Sequence, residues 1–228
     1  MTKLHKNIHY LQVSINSNTW DAQHIIGQLP PSDRIIIEVG TPLIKQFGQS
    51  GIQQIVSLWR NHLYATLGMH SNPYIVADLK CMDRAETESQ LAYQAGATAA
   101  VVLGQAPIET INSFITNCKT YGIDSVIDMM NIAEPYKILR LLPNLPDIVM
   151  LHRGVDETNL SKKPLPIHLI NKVKGTSNVL IAVAGGDTDR EVQSSVFNGA
   201  DIVVVWKDFY GSTGNTSQLA SEFLKQIK

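Results

Sequence analysis

Eight short runs rich in Val, Ile and Leu recur along the chain, each separated from the next by a segment with helical spacing. This alternation constrains the fold more than any other feature. The runs are HYLQVSI (9–15), RIIIEVG (34–40), YIVADLK (74–80), AAVVLG (99–104), DSVIDMM (124–130), DIVMLH (147–152), NVLIAVAGG (178–186) and DIVVVW (201–206). Near-continuous apolar runs of this length suit strands whose two faces are both covered, as in a parallel sheet sheathed by helices. Between them lie segments such as GIQQIVSLWRNHL, PIETINSFITNCKTYG, PYKILRLL, LPIHLINKVKG and TSQLASEFLKQI, which carry apolar residues at helical intervals. Thr188 with Glu191 three residues later reads as a capping box. Gly96, Gly122 and Gly199 each stand just past a helical run, where a left-handed C-cap is wanted. These signals agree on one (β/α)8 TIM barrel over residues 1–228. The rival is a doubly wound open sheet, but VAGGD does not complete a dinucleotide fingerprint and eight regular units favour closure.

The chain has 228 residues, 44% hydrophobic and 17% charged, a balance that suits one compact domain. A net charge of -1 with no long basic run gives no field for nucleic acid or an anionic membrane, so neither is expected as a partner. No apolar run is long enough to span a bilayer. Cys81 and Cys118 are too few for a disulfide framework and lack paired zinc spacing, which suggests reduced thiols and a cytoplasmic location. The first residues, MTKLHKNIHYLQVSI, lack the long apolar region of a signal peptide.

In a barrel the last residue of each strand and the loop after it share one face, and chemistry concentrates there. By that rule the candidates are Asn16, Glu38, Asp78 and Lys80 with Asp83 just beyond, Asp128, and His152 with Arg153. Asp78 and Lys80 lie two apart, so a regular strand points both to one side. Carboxylates around a lysine favour its charged form, which can stabilise negative charge or donate a proton. Glu38 and Asp78 on neighbouring strands offer hard oxygen ligands of the kind Mg²⁺ takes with water and substrate oxygens. His152 suits a proton shuttle, having an unperturbed pKa near neutrality. Asp128 could equally pair with a loop amide.

These residues, with IEVGTPLIKQFG (37–48), ADLKCMDRAETESQLAYQAGATAAVVLG (77–104), VIDMMN (126–131), LHRGVDE (151–157), AVAGG (182–186) and GADIVVV (199–205), resemble the orotidine 5′-monophosphate decarboxylase suprafamily. The likeness runs nearly end to end and is strongest to the branch of 3-hexulose-6-phosphate synthase and 3-keto-L-gulonate-6-phosphate decarboxylase. It implies a homodimeric (β/α)8 barrel with active sites shared across the subunit interface. Glu38 and Asp78 would hold Mg²⁺, Lys80 would stabilise an enediolate, Asp83 would reach the partner's site, His152 would move the proton and Asp128 would bind substrate hydroxyls. Asp128, Ala184 and Val155 look like the synthase, whereas Arg153 is a decarboxylase feature. The implied reaction condenses formaldehyde with ribulose 5-phosphate.

Two positions depart from the family's pattern. Asn16 stands where a carboxylate ends the first strand; it can hydrogen-bond a hydroxyl but cannot accept a proton. After the eighth strand, Trp206 and Lys207 replace a small glycine-containing turn. Gly185 and Gly186 supply amides for a phosphate, Lys207 could add a point charge, and Trp206 could fill the pocket. Two alternatives follow: a decarboxylase-like lyase or a lyase on another sugar substrate, and a catalytically inactive paralogue that serves as a binding protein.

Overall fold

The computed structural model describes residues 2–67, 73–161, 163–186, 188–206 and 215–227. Each apolar run forms a strand: β1 (Tyr10–Ile15), β2 (Ile35–Val39), β3 (Ile75–Cys81), β4 (Ala99–Leu103), β5 (Asp124–Asp128), β6 (Ile148–His152), β7 (Leu180–Ala184) and β8 (Ile202–Val205). All neighbouring pairs are parallel, and β8 returns to pair with β1 through Tyr10↔Ile202 and Val13↔Val205, so the sheet closes. The open-sheet alternative is excluded, and the single (β/α)8 barrel stands.

Helices sheathe the barrel: α1 (Thr19–Gln28), α2 (Thr41–Leu67), α3 (Ala85–Gln94), α4 (Ile108–Tyr121), α5 (Pro135–Leu139), α6 (Ile170–Lys174), α7 (Asp189–Phe197) and α8 (Thr216–Gln226). The capping box at Thr188 and Glu191 forms as expected. Gly96, Gly122 and Gly199 all adopt positive φ at the ends of their helices. Two helical expectations need correction. PYKILRLL keeps only the short α5, and LPIHLINKVKG divides into a 3-10 turn over Pro166–Leu169 followed by α6. In α2, helical structure begins ten residues before GIQQIVSLWRNHL and bends at Gly48, whose φ of 58° is non-helical.

Alternation along the strands sorts side chains into two cores. Leu11, Val13, Ile35, Ile37, Ala77 and Val149 pack outward against the helices, where Trp59 and Phe114 are fully buried. Tyr10, Ile36, Val76, Val126, Ile148, Met150 and Ala182 form a second cluster drawn from strands all round the barrel. This cluster is the barrel's filling. Continuing its period of two toward the strand ends meets Glu38 after Ile36, Asp78 after Val76, Asp128 after Val126 and His152 after Met150. The interior is therefore apolar below and ionisable at its C-terminal mouth. In the outer core, truncating Trp59 to Ala would cost about 3–5 kcal/mol by loss of transfer energy and opening of a cavity.

Candidate active site

A cavity of about 430 Å³ opens at the C-terminal mouth, lined in part by Ser14, Asn16, Glu38, Asp78, Lys80, His152, Arg153, Gly185 and Trp206. Most of the side chains expected from the sequence therefore meet in one place.

Lys80 is the hub. Its ammonium lies 3.0 Å from Asp78 Oδ2 and 2.9 Å from Asp128 Oδ2. Burial alone would lower its pKa, but Asp78 and Asp128 outweigh that and hold the ammonium charged well above the usual lysine range. The regular-strand argument for this pairing needs correction. The β3–β4 register shifts between Ala77 and Cys81, and Lys80 sits at φ 47°. A left-handed lysine is strained backbone of the kind that accumulates at functional sites. Here it keeps the ammonium beside Asp78 despite the break in alternation.

Asp128 is fully buried, and both its oxygens are engaged. Oδ2 accepts from Lys80 and from His152 Nδ1 at 2.8 Å, while Oδ1 accepts the Met130 N–H at 2.9 Å. Burial would raise its pKa, yet His152 and Lys80 hold it well below the usual carboxylate range. It is not among the residues that line the cavity. It carries Lys80 and His152 together on one oxygen. For His152, burial pushes the imidazolium down, but the Asp128 charge and hydrogen bond win, and its pKa is raised above 6.5. Nδ1 faces the carboxylate, which leaves Nε2 for chemistry at the cavity.

Across the mouth, Glu38 accepts hydrogen bonds from Gln12 Nε2 and from Ser14 Oγ, the latter at 2.5 Å. Burial, and then the Asp78 charge, push its pKa up to about 7. Asp78 is anchored by Thr41 Oγ1, which donates at 2.9 Å. Two buried carboxylates that repel each other at the edge of a cavity form a place for a cation. Among the described residues no three His, Cys, Asp or Glu side chains converge into a ready-made metal cage. Mg²⁺ commonly takes only one or two carboxylates and fills the rest of its shell with water and substrate oxygens, so this donor set fits it.

The remaining candidates divide. Asn16 lines the cavity and donates to Ser14 Oγ at 3.1 Å; it lies so close to Gly40 that a Cβ there would fall 1.9 Å from its Oδ1. Arg153 lines the cavity, but most of its guanidinium is committed to protein partners. Gly185 lines it as well, whereas Gly186 is absent from the lining and faces Leu165 and Glu191. Asp83 is exposed and outside this cavity. Lys207 lies outside the described residues. Gln12, Ser14 and Thr41 were not singled out from the sequence, yet they orient both carboxylates. The signal for two of them was present in LQVSIN, where Gln12, Ser14 and Asn16 repeat a polar residue every second position of an apolar strand.

Known proteins resemble this chain in sequence and in fold. The family model described as Orotidine 5′-phosphate decarboxylase / HUMPS family matches residues 9–220. A "Bifunctional enzyme Fae/Hps" from Methanoculleus marisnigri is 38% identical over 221 residues, covering 96% of this chain and 52% of the relative. The chain thus spans about half the length of the curated relatives it matches. The crystal structure of 3-hexulose-6-phosphate synthase from Salmonella typhimurium superposes with a TM-score of 0.82 at 27% identity, covering 96% of this chain and 98% of that one. The crystal structure of KGPDC from Streptococcus mutans shares the fold with a TM-score of 0.73 at 18% identity, covering 96% of this chain and 97% of its own.

Proposed function

The chain belongs to the orotidine 5′-phosphate decarboxylase / HUMPS family and is an enzyme, and we propose that it is a carbon–carbon lyase of the 3-hexulose-6-phosphate synthase type. It would join formaldehyde to ribulose 5-phosphate reversibly, through an enediolate. The observation that carries this reading is the single Asp128 oxygen that holds Lys80 and His152 side by side at the cavity wall. That arrangement sets a fixed positive charge beside a proton carrier. Forming an enediolate needs both.

In the forward direction a proton leaves C1 of the keto sugar and the carbonyl oxygen gains negative charge. His152, held through Nδ1, presents Nε2 as the group that takes the proton. Lys80 stays protonated because two carboxylates flank it, so it stabilises the developing oxyanion without giving up its charge. The C1 carbanion then adds to the carbon of formaldehyde, and the new alkoxide takes up a proton to complete the product. Mg²⁺ held by Glu38 and Asp78 would supply Lewis acidity and orient the sugar oxygens. Asn16 and Ser14 offer hydrogen bonds to hydroxyls from the β1 side of the cavity. Asp83, exposed beyond β3, would serve the site of a second copy in a homodimer. The buried, free thiols of Cys81 and Cys118 suit a reducing cytoplasm.

A lyase on a different sugar is the second reading, favoured by the Trp206 indole at the cavity wall. One assay separates the two: purified protein with Mg²⁺, ribulose 5-phosphate and formaldehyde, with product sugar phosphate followed over time. Turnover no greater than that of Lys80→Ala would sink the synthase reading, and turnover that survives EDTA would sink the Mg²⁺ assignment.

A further inference from the structure

The mouth carries a second charged arrangement, separate from the Lys80 cluster. Arg153 follows β6, and its Nε donates to Gly185 O at 3.1 Å while Nη1 donates to Lys163 O at 3.1 Å. Nη2 donates both to Gly185 O and, at 2.9 Å, to Glu191 Oε1. Only 12% of the side chain is exposed. A guanidinium held that deep in a wall requires a counter-ion, and Glu191 is the one the structure provides. The other oxygen of Glu191 is fixed independently: Oε2 accepts from the Thr188 hydroxyl at 2.9 Å in the capping box of α7. Glu191 is thus held by the helix cap, and Arg153 is held by Glu191.

The two glycines after β7 make this contact possible. A Cβ at Gly185 would lie 2.2 Å from Arg153 O, and one at Gly186 would lie 3.0 Å from the Glu191 Cβ and 2.6 Å from Leu165 Cδ1. Side chains at either position would wedge the β6 and β7 loops apart. Of the five guanidinium N–H groups, the network among the described residues engages Nε, both on Nη2 and one on Nη1. One Nη1 donor remains beyond that network, on a residue that lines the cavity.

We propose that Glu191 is a positioning residue for substrate binding: acting through Arg153, it holds the guanidinium at the cavity wall to receive the anionic end of a sugar phosphate. This rests on the sugar-phosphate reading above. It gives the α7 cap, otherwise a device for helix stability, a place in substrate recognition.

Glu191→Gln tests it. Glutamine satisfies a capping box as glutamate does, but its amide turns N–H groups toward a guanidinium that has only N–H groups to offer. KM for ribulose 5-phosphate should rise about tenfold, as expected for loss of one charge-assisted hydrogen bond, with kcat within about threefold, and the thermal midpoint should fall because the buried guanidinium loses its counter-ion. Calorimetry should show the same loss for ribulose 5-phosphate and none for unphosphorylated ribulose. Arg153→Met should show the KM defect too, and adding Glu191→Gln to it should bring no further loss; this pair keeps the test usable if one variant folds poorly. An unchanged KM in Glu191→Gln, a fall in KM, or additive losses in the double variant would each overturn the proposal. A parent protein that neither binds nor turns over ribulose 5-phosphate would overturn this inference and the synthase reading together, whereas normal turnover with an indifferent Glu191→Gln overturns this inference alone.

Discussion

Replacing Asp128 with asparagine probes the centre of the site most directly. Asparagine has nearly the same size, and its Oδ1 can still accept the Met130 N–H at the present 2.9 Å. Its amide nitrogen then stands where Oδ2 accepted from Lys80 at 2.9 Å and His152 at 2.8 Å, so a donor meets two donors. Removing one partner from a buried ion pair costs about 3–5 kcal/mol. Lys80 keeps Asp78 and is 21% exposed, so a loss of about 2–3 kcal/mol is expected for this pair. The catalytic loss should be larger. Without the carboxylate, Nδ1 of His152 does best as an acceptor from the amide, which moves the ring proton to Nε2, the nitrogen meant to take the substrate's proton. Losing a positioned general base costs about 10²–10⁴-fold in rate. The pH response has a defined sign. His152 has a raised pKa in the folded protein, so its pairing contributes stability fully below about pH 6.5 and loses it as pH climbs through the raised value. Asp128→Asn should lack that dependence, and the acidic limb of its residual kcat should move to lower pH, because burial then acts on His152 without a counter-charge. Steady-state kinetics from pH 5 to 9 and urea denaturation at two pH values would read both effects. A variant within about threefold of the parent kcat, with an unmoved acidic limb, would refute the shared-carboxylate mechanism.

Three further outcomes follow from the same geometry. Gly185→Ala places a Cβ 2.2 Å from Arg153 O at φ 97°, so it should lose more than about 2 kcal/mol in urea denaturation; an unshifted midpoint would show that the loop has room to yield. If Asp83 serves a neighbouring subunit, Asp83→Ala and Lys80→Ala should each be inactive alone, while mixed and refolded together they should recover about a quarter of parental activity, because one of the two sites in a hybrid dimer is intact and hybrids form half of a random mixture. No recovery would confine Asp83 to its own chain. Trp206→Gly should lower KM for ribulose 5-phosphate at least about threefold if the indole narrows the phosphate end of the cavity, and a KM that stays or rises would remove Trp206 as an obstacle.

The barrel and most of its mouth were legible because both rest on short-range periodicity. An apolar residue two positions earlier marks Glu38, Asp78, Asp128 and His152 as inward-facing, and Ile36, Val76, Val126 and Met150 fill the interior below them. What the same rule could not tell is whether an inward carboxylate meets a ligand or a neighbour. Asp128 and Asp78 look alike in sequence, yet Asp128 is sealed behind Lys80 and His152 while Asp78 reaches the cavity. Lys80 shows the opposite case: the period-two argument predicted its partner correctly for a backbone that breaks the period at φ 47°. The regular-strand reading was wrong about the route and right about the neighbour.

The part of the site that stayed hidden is the part made by contacts between distant segments. Thr41 reaches Asp78 across 37 residues and Arg153 reaches Glu191 across 38, and neither pairing has a local spacing to betray it. Thr188 and Glu191 were readable as a helix cap because that motif is complete within four residues. Their second use depends on β6 and β7 lying side by side, with His152 opposite Ala184, so that the residue after each strand meets its neighbour. A barrel therefore turns a local stability signal into a candidate binding element only after closure. In this chain the two glycines at 185 and 186 are a trace in the sequence of how closely those loops approach, and a phosphate-binding turn would have explained them equally well before the position of Arg153 was known.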